Sequence, residues 1–404
     1  MAHQPSMRLG KLWVGGAVAV LVLLGVSAIS LERIAAAQAR SAVQAPRFEV
    51  DPLWPKPLPN HWILGSTIGV GVDSRDHVFI IHRGLPTLTA RTEAGLDTKP
   101  PTGECCAAAP PILEFDSEGN LVKAWGGPHE GYDWPISNHG IAIDDKDNVW
   151  IGGNGSDSTG RDSHILKFTH DGTFLLQLGK ANQPINSNDV THFGQVAKIS
   201  FDAAANEAYV ADGYGNKRVA VVDMDNGKIK RYWGAYGHPP SDSTLPRYNP
   251  DAPLAQQFRN PVHCAEPSHD GLVYVCDRPN DRIQVFKKDG SFVKEVRIAP
   301  RTLGDGSVWD IAFSRDPQQK YLYLADGKNE HIYVIDRQSL EILTMFGDGG
   351  RQPGQWFAVH SIATDSKGNI YTTETYEGKR VQKFVYRGLK RVSKRDQGVP
   401  WPVR

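Results

Sequence analysis

The sequence lacks an excess of charge of either sign, since 45 lysine and arginine residues balance 45 aspartate and glutamate residues. A chain without a basic field has no general attraction for nucleic acid, and it has no polybasic segment for anionic lipid. We therefore expect no nucleic-acid partner.

Cysteine is also scarce, with four residues and no CxxC spacing, so the sequence gives no cysteine-based zinc site. Cys105 and Cys106 are adjacent, and adjacent cysteines rarely bond each other without strain. Cys264 and Cys276 flank a predicted hairpin turn and could face each other across it. We therefore do not expect cysteine to be a metal ligand.

Long helical patterns are missing after about residue 45. The chain instead contains 40 glycines, 27 prolines, 10 tryptophans, 13 tyrosines and 14 phenylalanines. Aromatic residues favour strands, whereas glycine and proline favour the tight turns between them. This composition predicts an all-β protein.

The first 45 residues are distinct from the rest. Arg8 and Lys11 precede an uncharged run from Leu12 to Ile29, and a small-residue stretch follows at 34–39. This order is typical of an export signal, although the run also reaches the lower length limit of a membrane anchor. Either interpretation places the body of the protein outside the cytoplasm, as a periplasmic, secreted or membrane-anchored domain.

A short strand motif with a central aromatic residue recurs six times, about 50 to 70 residues apart. A third strand follows most copies, and a fourth often follows and ends at glycine. Four strands repeated radially make a propeller blade, so the pattern predicts a monomeric six-bladed β-propeller over residues 46–390. The central aromatic residues are Phe79, Trp150, Tyr209, Tyr274, Tyr323 and Tyr371.

The sixth copy ends after its third strand near Tyr386, and residues 391–404 read as a polar tail. The segment 47–51 alternates like a strand and could complete the last blade, which would remove free sheet edges. Irregular stretches at 84–111 and 236–258 are predicted to be inserted loops, which are often functional in compact domains.

Three histidines share one position in the repeat. Counting back 11 residues from the aromatic residue in copies two, four and six reaches His139, His263 and His360. The shared register places them at one end of the innermost strands, where they would converge on the central channel. Three neutral imidazoles with an open fourth position are the usual ligand set of catalytic zinc.

The second strand of each blade runs antiparallel to the first. Residues four or five positions after the central aromatic residue should therefore lie at the same end of the channel as the three histidines. Arg83 and Arg278 lie four residues past, and Tyr214 lies five residues past. Arginine binds both oxygens of a carboxylate, and a tyrosine near a cation can act as a base. This rim favours an anionic substrate, a small molecule or peptide with a carboxylate, from which a proton is removed.

Backbone oxygens offer a second candidate ion site. Val70 and Ile141 lie nine residues before their aromatic residues, inside the level of the histidines. Carbonyl groups there could face the axis and hold a hard cation such as calcium.

These motifs resemble one known family. Over nearly all of residues 60–386 the chain resembles the peptidyl-α-hydroxyglycine α-amidating lyases, within the broader group of NHL-repeat propellers. The motifs that carry the resemblance are Gly69–Asp73, His82–Gly84, His139–Ile141, Asp212–Tyr214, Pro261–His263, Asp277–Asn280 and Val359–His360.

The resemblance implies a zinc ion held by the three histidines, with Tyr214 as the base, Arg83 as a second catalytic residue and Arg278 at the substrate. It also implies a structural calcium at the backbone oxygens of Val70 and Ile141. The implied reaction removes the hydroxyl proton of a C-terminal α-hydroxyglycine and breaks its C–N bond, giving an amide and glyoxylate.

Three positions depart from the family pattern. Ser361 replaces the acidic calcium ligand that follows the third histidine, which should weaken a hard-cation site. Ala358 replaces a methionine, which should widen the pocket, and Gly215 replaces a cysteine, so that one disulfide is missing.

Two other functions fit the same architecture. One is a non-catalytic NHL propeller that binds a protein or glycan at the cell surface, since fold alone does not imply catalysis. The other is a lactonase-like hydrolase, a group that prefers carboxylate and amide metal ligands, whereas the shared register here yields imidazoles.

Overall fold

The structure is a computed structural model, and it describes residues 43–392 and 396–402. Residues 1–42, and with them nearly all of the predicted export signal or anchor, lie outside the described residues. In the described ranges, no helix has both the length and the apolar character needed to cross a membrane.

β-Strands make up nearly all of the regular secondary structure of the described chain. The first fourteen strands are β1 (Val43–Asp51), β2 (Trp62–Ile63), β3 (Thr67–Val72), β4 (Val78–His82), β5 (Ala107–Ala108), β6 (Ile112–Phe115), β7 (Leu121–Trp125), β8 (Asn138–Ile143), β9 (Val149–Gly153), β10 (Ser156–Asp157), β11 (Gly160–Arg161), β12 (His164–Phe168), β13 (Phe174–Gly179) and β14 (Val196–Asp202).

The second half continues the same pattern. Its strands are β15 (Glu207–Asp212), β16 (Arg218–Asp223), β17 (Ile229–Trp233), β18 (Val262–Pro267), β19 (Leu272–Asp277), β20 (Arg282–Lys287), β21 (Phe292–Arg297), β22 (Asp310–Phe313), β23 (Tyr321–Asp326), β24 (His331–Asp336), β25 (Ile342–Phe346), β26 (Val359–Thr364), β27 (Ile370–Glu374) and β28 (Val381–Val392). Short 3-10 turns lie at Leu85–Thr87, Ala203–Ala205, Ala235–Gly237 and Arg278–Asn280.

Six four-stranded antiparallel sheets form the blades, which confirms the predicted six-bladed all-β propeller. Blades one to five are β3-β4-β6-β7, β8-β9-β12-β13, β14-β15-β16-β17, β18-β19-β20-β21 and β22-β23-β24-β25, and blade six is β26-β27-β28-β1. Each first strand contacts the first strand of the next blade, from β3 through β26 and back to β3. These six inner strands therefore surround the central channel.

The six repeated aromatic residues are buried on the second strand of each blade, each with at most 2% of its surface exposed. They pack into the apolar layers of the blades because alternate residues of a strand face one side of its sheet. The recurrent aromatic residue is thus a core residue, and its register marks the same depth in every blade.

The turn between the first and second strands has its own recurring polar anchor. The carboxylate of Asp144 accepts the backbone N–H groups of Lys146 and Asn148 at 2.9 and 2.8 Å. Asp73 and Asp365 form the same pair of hydrogen bonds with the residues two and four positions later. Aspartate favours such turns because its side chain bonds the backbone two residues on, and the turn fixes the register between the two strands.

The ring closes through strand β1, as the alternation at 47–51 predicts. β1 pairs antiparallel with β28, so an N-terminal strand forms the outer edge of blade six. Residues 396–402 cross outside this edge, where the backbone N–H of Val50 donates to Pro400 O at 2.7 Å and that of Gly347 donates to Gly398 O at 2.9 Å. The closure covers strand edges that would otherwise be open to pairing.

The described chain contains two disulfide bonds. Cys264 is bonded to Cys276 across β18 and β19, so these two residues do face each other. Cys105 and Cys106 are bonded to each other, contrary to the expectation for adjacent cysteines. Since the other two cysteines of the sequence pair in blade four, each of these is the only partner left for the other.

Candidate metal centre

The structure brings His139, His263 and His360 together on the axis of the ring. They lie on β8, β18 and β26, the inner strands of blades two, four and six, and at most 3% of each is exposed. Their ring centroids are 4.8 to 5.3 Å apart. One ligand nitrogen from each can lie within 4.8 Å of the other two, so the three can hold a single metal ion.

An irregularity in each inner strand turns these histidines toward the axis. The pairing register shifts between Asn138 and Ile141 in β8, and similar shifts enclose His263 and His360. A bulge leaves a residue outside the ladder and re-aims its side chain. The three imidazoles therefore point into the channel rather than into the layers between blades.

Each imidazole is oriented by a backbone carbonyl of the following blade. His139 Nδ1 lies 2.7 Å from Ala197 O, His360 Nδ1 lies 2.7 Å from Ile68 O, and His263 Nδ1 bonds Trp309 O. A carbonyl oxygen only accepts hydrogen bonds, so each Nδ1 carries the proton. This tautomer leaves the lone pair on Nε2, which is the form that binds a metal.

Burial also keeps the three imidazoles neutral. It lowers the pKa of His139 and of His263 well below the ordinary value, and nearby Arg278 contributes to both shifts. Burial followed by the charge of Arg278 lowers the pKa of His360 to about 3. Neutral imidazole is the state required of a metal ligand, so the site is suited to a cation at neutral pH.

Tyr214 lies directly over the triad. Its Oη is 2.9 Å from His139 Nε2 and 3.1 Å from His263 Nε2. The loop that carries Tyr214 is fixed by Asn260, whose side-chain Nδ2 lies 2.8 to 3.2 Å from the backbone carbonyl oxygens of residues 213–216 and shares its two hydrogens among them. A phenolic oxygen is thereby held within hydrogen-bonding distance of two of the candidate metal ligands.

Arg278 completes this side of the site. Its Nη1 donates to Tyr214 Oη at 3.3 Å, and its guanidinium stacks 4.5 Å from the ring centre of Trp309. Arg278 is buried, with 6% of its surface exposed. Stacking restricts the arginine, and its Nη2 lies 3.8 Å from Asp305 Oδ1, an ion pair that a substrate carboxylate would have to replace.

Arg83 follows β4 and is positioned differently. Its Nη2 donates to Asn154 Oδ1 at 3.0 Å and its Nε donates to Asn138 O at 3.3 Å. Burial lowers the pKa of Arg83, and the nearby phenols of Tyr214 and Tyr376 oppose the shift. Arg83 therefore lies on the same rim as Tyr214, with its donors partly engaged by blade two.

Two residues of the rim escape the sequence prediction. Tyr376 lies five residues past Tyr371, the same offset that separates Tyr214 from Tyr209, and it interacts electrostatically with both arginines. Counting forward in the sixth copy would have found it. Trp309 precedes β22 and occupies in blade five the position of the histidines, three residues before the residue that pairs with the central aromatic. The turn before Tyr323 is three residues longer, so the offset of 11 misses Trp309 and its contacts with Arg278 and His263.

The two backbone positions considered for calcium differ in their surroundings. Ile141 borders a small cavity in the channel, on the far side of the histidines from Tyr214, together with Lys198 and Asp310. The side chain of Val70 packs in an apolar cluster between blades one and six. Lys198 stands 11 residues before Tyr209, the same offset as the three histidines, but the turn before Tyr209 is one residue longer. Strand pairing therefore places Ala197 at the position of the histidines and Lys198 one residue further along the inner wall.

His82, next to Arg83, has a structural position. Its Nδ1 accepts the backbone N–H groups of Gly65 and Gly84, both at 3.1 Å, and its Nε2 donates to Pro110 O at 2.9 Å. Gly84 has φ +56°, a conformation that favours glycine. His82 thus ties the start and end of the 84–111 insertion to β3, and it must be neutral to accept at Nδ1.

Acid should therefore destabilise the protein through His82. Burial lowers its folded pKa to about 4 from an ordinary value of 6.5, so between these values the unfolded chain binds a proton that the folded chain does not. At about 1.4 kcal/mol per pKa unit, about 3 kcal/mol of stability is lost as the pH falls through this window. We expect His82→Gln to flatten the fall, as measured by denaturant unfolding at a series of pH values. His129→Gln, at an exposed histidine, is the control. If the free energy of unfolding fell with pH equally in the two variants, His82 would not be the group that destabilises the protein in acid.

Comparison with known proteins finds no matching family model. The chain is 28% identical over 320 residues to peptidyl-glycine alpha-amidating monooxygenase of Mus musculus, covering 77% of this chain and 29% of that protein. It is 24% identical over 361 residues to NHL repeat-containing protein 3 of Mus musculus, covering 85% of each. The chain is thus similar to amidating monooxygenases, of which it spans less than a third of the length, and to NHL-repeat proteins.

Among solved structures, one described as a streptogramin B lyase covers 84% of this chain and 98% of its own, with a TM-score of 0.51 at 11% sequence identity. At that identity the likeness is one of fold, and it agrees with the propeller described above.

Proposed function

We propose that this chain is a zinc-dependent lyase that cleaves the C–N bond of a peptidyl- or N-acyl-α-hydroxyglycine to an amide and glyoxylate. The observation that carries the proposal is the position of Tyr214 Oη, within 3.1 Å of two imidazoles of a triad that can share one cation. The similarity to amidating monooxygenases over 77% of the chain supports the choice of substrate class.

The triad fits zinc on its donor chemistry. Three neutral imidazoles that present Nε2, each oriented by a carbonyl at Nδ1, match the ligand set of catalytic zinc sites that keep one position open. When bound there, zinc supplies a Lewis acid for the hydroxyl oxygen of the substrate.

The arginines bind and orient the substrate. Arg278 is buried, stacked and directed at Tyr214, so it is the better placed of the two to bind the substrate carboxylate through both oxygens. Arg83, on the same rim, adds positive charge beside the phenol. Together they hold the α-carbon next to Tyr214, with its hydroxyl toward the triad.

Tyr214 is the group placed to move the proton. In its phenolate form, its Oη accepts the proton of the substrate hydroxyl, and the electron pair of that O–H bond becomes the second bond of a carbonyl. The C–N bond breaks as this carbonyl forms, its electron pair stays on the departing nitrogen, and that nitrogen takes the proton from Tyr214 to give the amide and restore the phenolate. The other product is glyoxylate, whose carboxylate remains on Arg278 until release.

The direct test is glyoxylate release from α-hydroxyhippurate by purified, zinc-supplied protein, with benzamide as the second product. We expect both products in equal amounts and much slower turnover of the methyl ester, which lacks the carboxylate that Arg278 binds. Binding of a buried charge to its partner is worth about 2 kcal/mol or more, so the ester should lose about 30-fold or more in kcat/KM. No glyoxylate from the acid would contradict the proposal.

A non-catalytic NHL propeller that binds a protein or glycan is the second candidate. It is favoured by the similarity to NHL repeat-containing protein 3, which covers 85% of both chains. This candidate predicts no turnover and no change of partner binding in variants of Tyr214 or Arg83, so the same assay separates the two.

A further inference from the structure

A charged cluster lies in the channel behind the histidine triad. Lys198 on β14 places its Nζ 2.6 Å from Asp310 Oδ1 and 2.7 Å from Glu266 Oε1. Its third neighbour is Ile311 O at 3.3 Å. An ammonium group has three hydrogens to donate, and all three have an acceptor here. The side chain of Lys198 is 14% exposed and that of Asp310 is 2% exposed.

Asp310 has no position left for a metal ion. Besides Lys198, its Oδ1 accepts the backbone N–H of Ile311 at 2.8 Å. Its Oδ2 accepts the hydroxyl of Ser361 at 2.7 Å and the backbone N–H of Ile362 at 3.0 Å. A carboxylate offers about four lone-pair positions, and four donors use them.

The cluster therefore does not fit a calcium ion. Calcium needs six to eight oxygen ligands, usually with several carboxylates. The two carboxylates here already share one ammonium, and the residue after His360 is a serine that donates to Asp310 instead of offering a charge. A divalent ion could bind these carboxylates only by displacing the ammonium group of Lys198 from them.

We propose that Lys198 is the permanent cation of this channel and takes the place of a bound calcium ion. The holoprotein then needs metal only at the histidine triad. This inference does not depend on the lyase reaction, because it concerns only the charge and the ligands of the inner wall.

The same cluster positions the triad. Ala197 and Trp309, whose carbonyls orient His139 and His263, directly precede Lys198 and Asp310. Ser361, which donates to Asp310, directly follows His360. The Lys198–Asp310 ion pair, together with the Ser361 hydrogen bond, thus links β14, β22 and β26 next to the residues that orient His139 and His263 and next to His360 itself.

Unmodified protein provides the primary test. We expect elemental analysis after equilibration with millimolar calcium and gel filtration to find no calcium retained, and the Tm in zinc-containing buffer to be the same with and without added calcium. Retention of one calcium per chain, with a Tm that rises when calcium is added, would overturn the proposal. Zinc measured in the same samples reports on the proposed function separately.

Substitution of Lys198 gives the converse test. Lys198→Ala leaves Asp310 and Glu266 facing each other without a cation, so we expect the Tm to fall by about 5 °C or more and calcium to restore part of that loss. Lys230→Ala is the matched control, since it removes a lysine from an ion pair with Glu207 in the same blade but at its surface. A folded Lys198→Ala protein that calcium does not stabilise would contradict the proposal. If the variant does not fold, the measurement on unmodified protein decides alone.

Discussion

Replacing His263 with alanine is expected to remove the metal from the protein and to abolish glyoxylate release. The change leaves two imidazoles, His139 and His360, for a cation that three now surround. Loss of a group that merely orients a ligand lowers metal affinity about 10- to 100-fold, so loss of a ligand itself should exceed about 100-fold. Elemental analysis of purified protein should show close to one metal ion per chain before the substitution and almost none after it.

A matched control separates this effect from a general loss of histidine. His129→Ala removes an exposed histidine from the loop between blades one and two, and it should leave both the metal content and the activity unchanged. Circular dichroism and the Tm in the presence of chelator would show whether His263→Ala keeps the fold. A folded His263→Ala protein that retains its metal would show that the triad is not the metal site.

Replacing Tyr214 with phenylalanine should separate catalysis from metal binding. The substitution deletes one oxygen and keeps the ring, so the three imidazoles and their carbonyl partners remain in place. General acid–base groups contribute about 10²- to 10⁴-fold to a rate, and we expect kcat to fall by that range while the metal content stays the same. KM should change little, because Arg278 still binds the carboxylate.

Tyr232→Phe is the control for this change. Tyr232 donates to Asn188 O at 3.3 Å, and it lies on β17, the outermost strand of blade three, three strands away from the channel. The Tyr232→Phe variant should keep the full kcat. An unchanged kcat in Tyr214→Phe would remove the phenol from the mechanism and leave the metal as the only candidate for the chemistry.

The fold could be predicted because its signal repeats. Six buried aromatic residues mark the same strand in each blade, and the offset of 11 residues from them places three histidines at one depth. Closure by β1 was also predictable, since the last copy lacks a fourth strand. Each of these inferences uses side chains whose spacing follows directly from strand geometry.

The orientation of the site could not be predicted in the same way. The acceptors for the three Nδ1 atoms are backbone carbonyls of Ala197, Trp309 and Ile68, and any residue supplies a carbonyl. The bulges that turn the histidines inward have no fixed residue type either. Sequence patterns report side chains, whereas this part of the site is built from main-chain atoms.

The two arginines share one sequence offset but have different surroundings. Arg83 and Arg278 both lie four residues past their aromatic residue, yet Arg278 reaches Tyr214 and Arg83 bonds Asn154 and Asn138. The difference comes from what surrounds each guanidinium, an indole ring in one case and amide and carbonyl oxygens in the other. The offset from the central aromatic residue predicted which residues lie at the rim of the channel. The packing around each residue decides which partners its side chain binds.

X-ray absorption at the zinc edge of the purified, zinc-loaded protein tests the central claim most directly. Three imidazoles from alternate blades around one cation predict a first shell of three histidine nitrogens at about 2.0–2.1 Å. The fourth, open position is then filled by an oxygen atom of water or substrate. A shell made only of oxygen, or one with fewer than two histidine nitrogens, would contradict it.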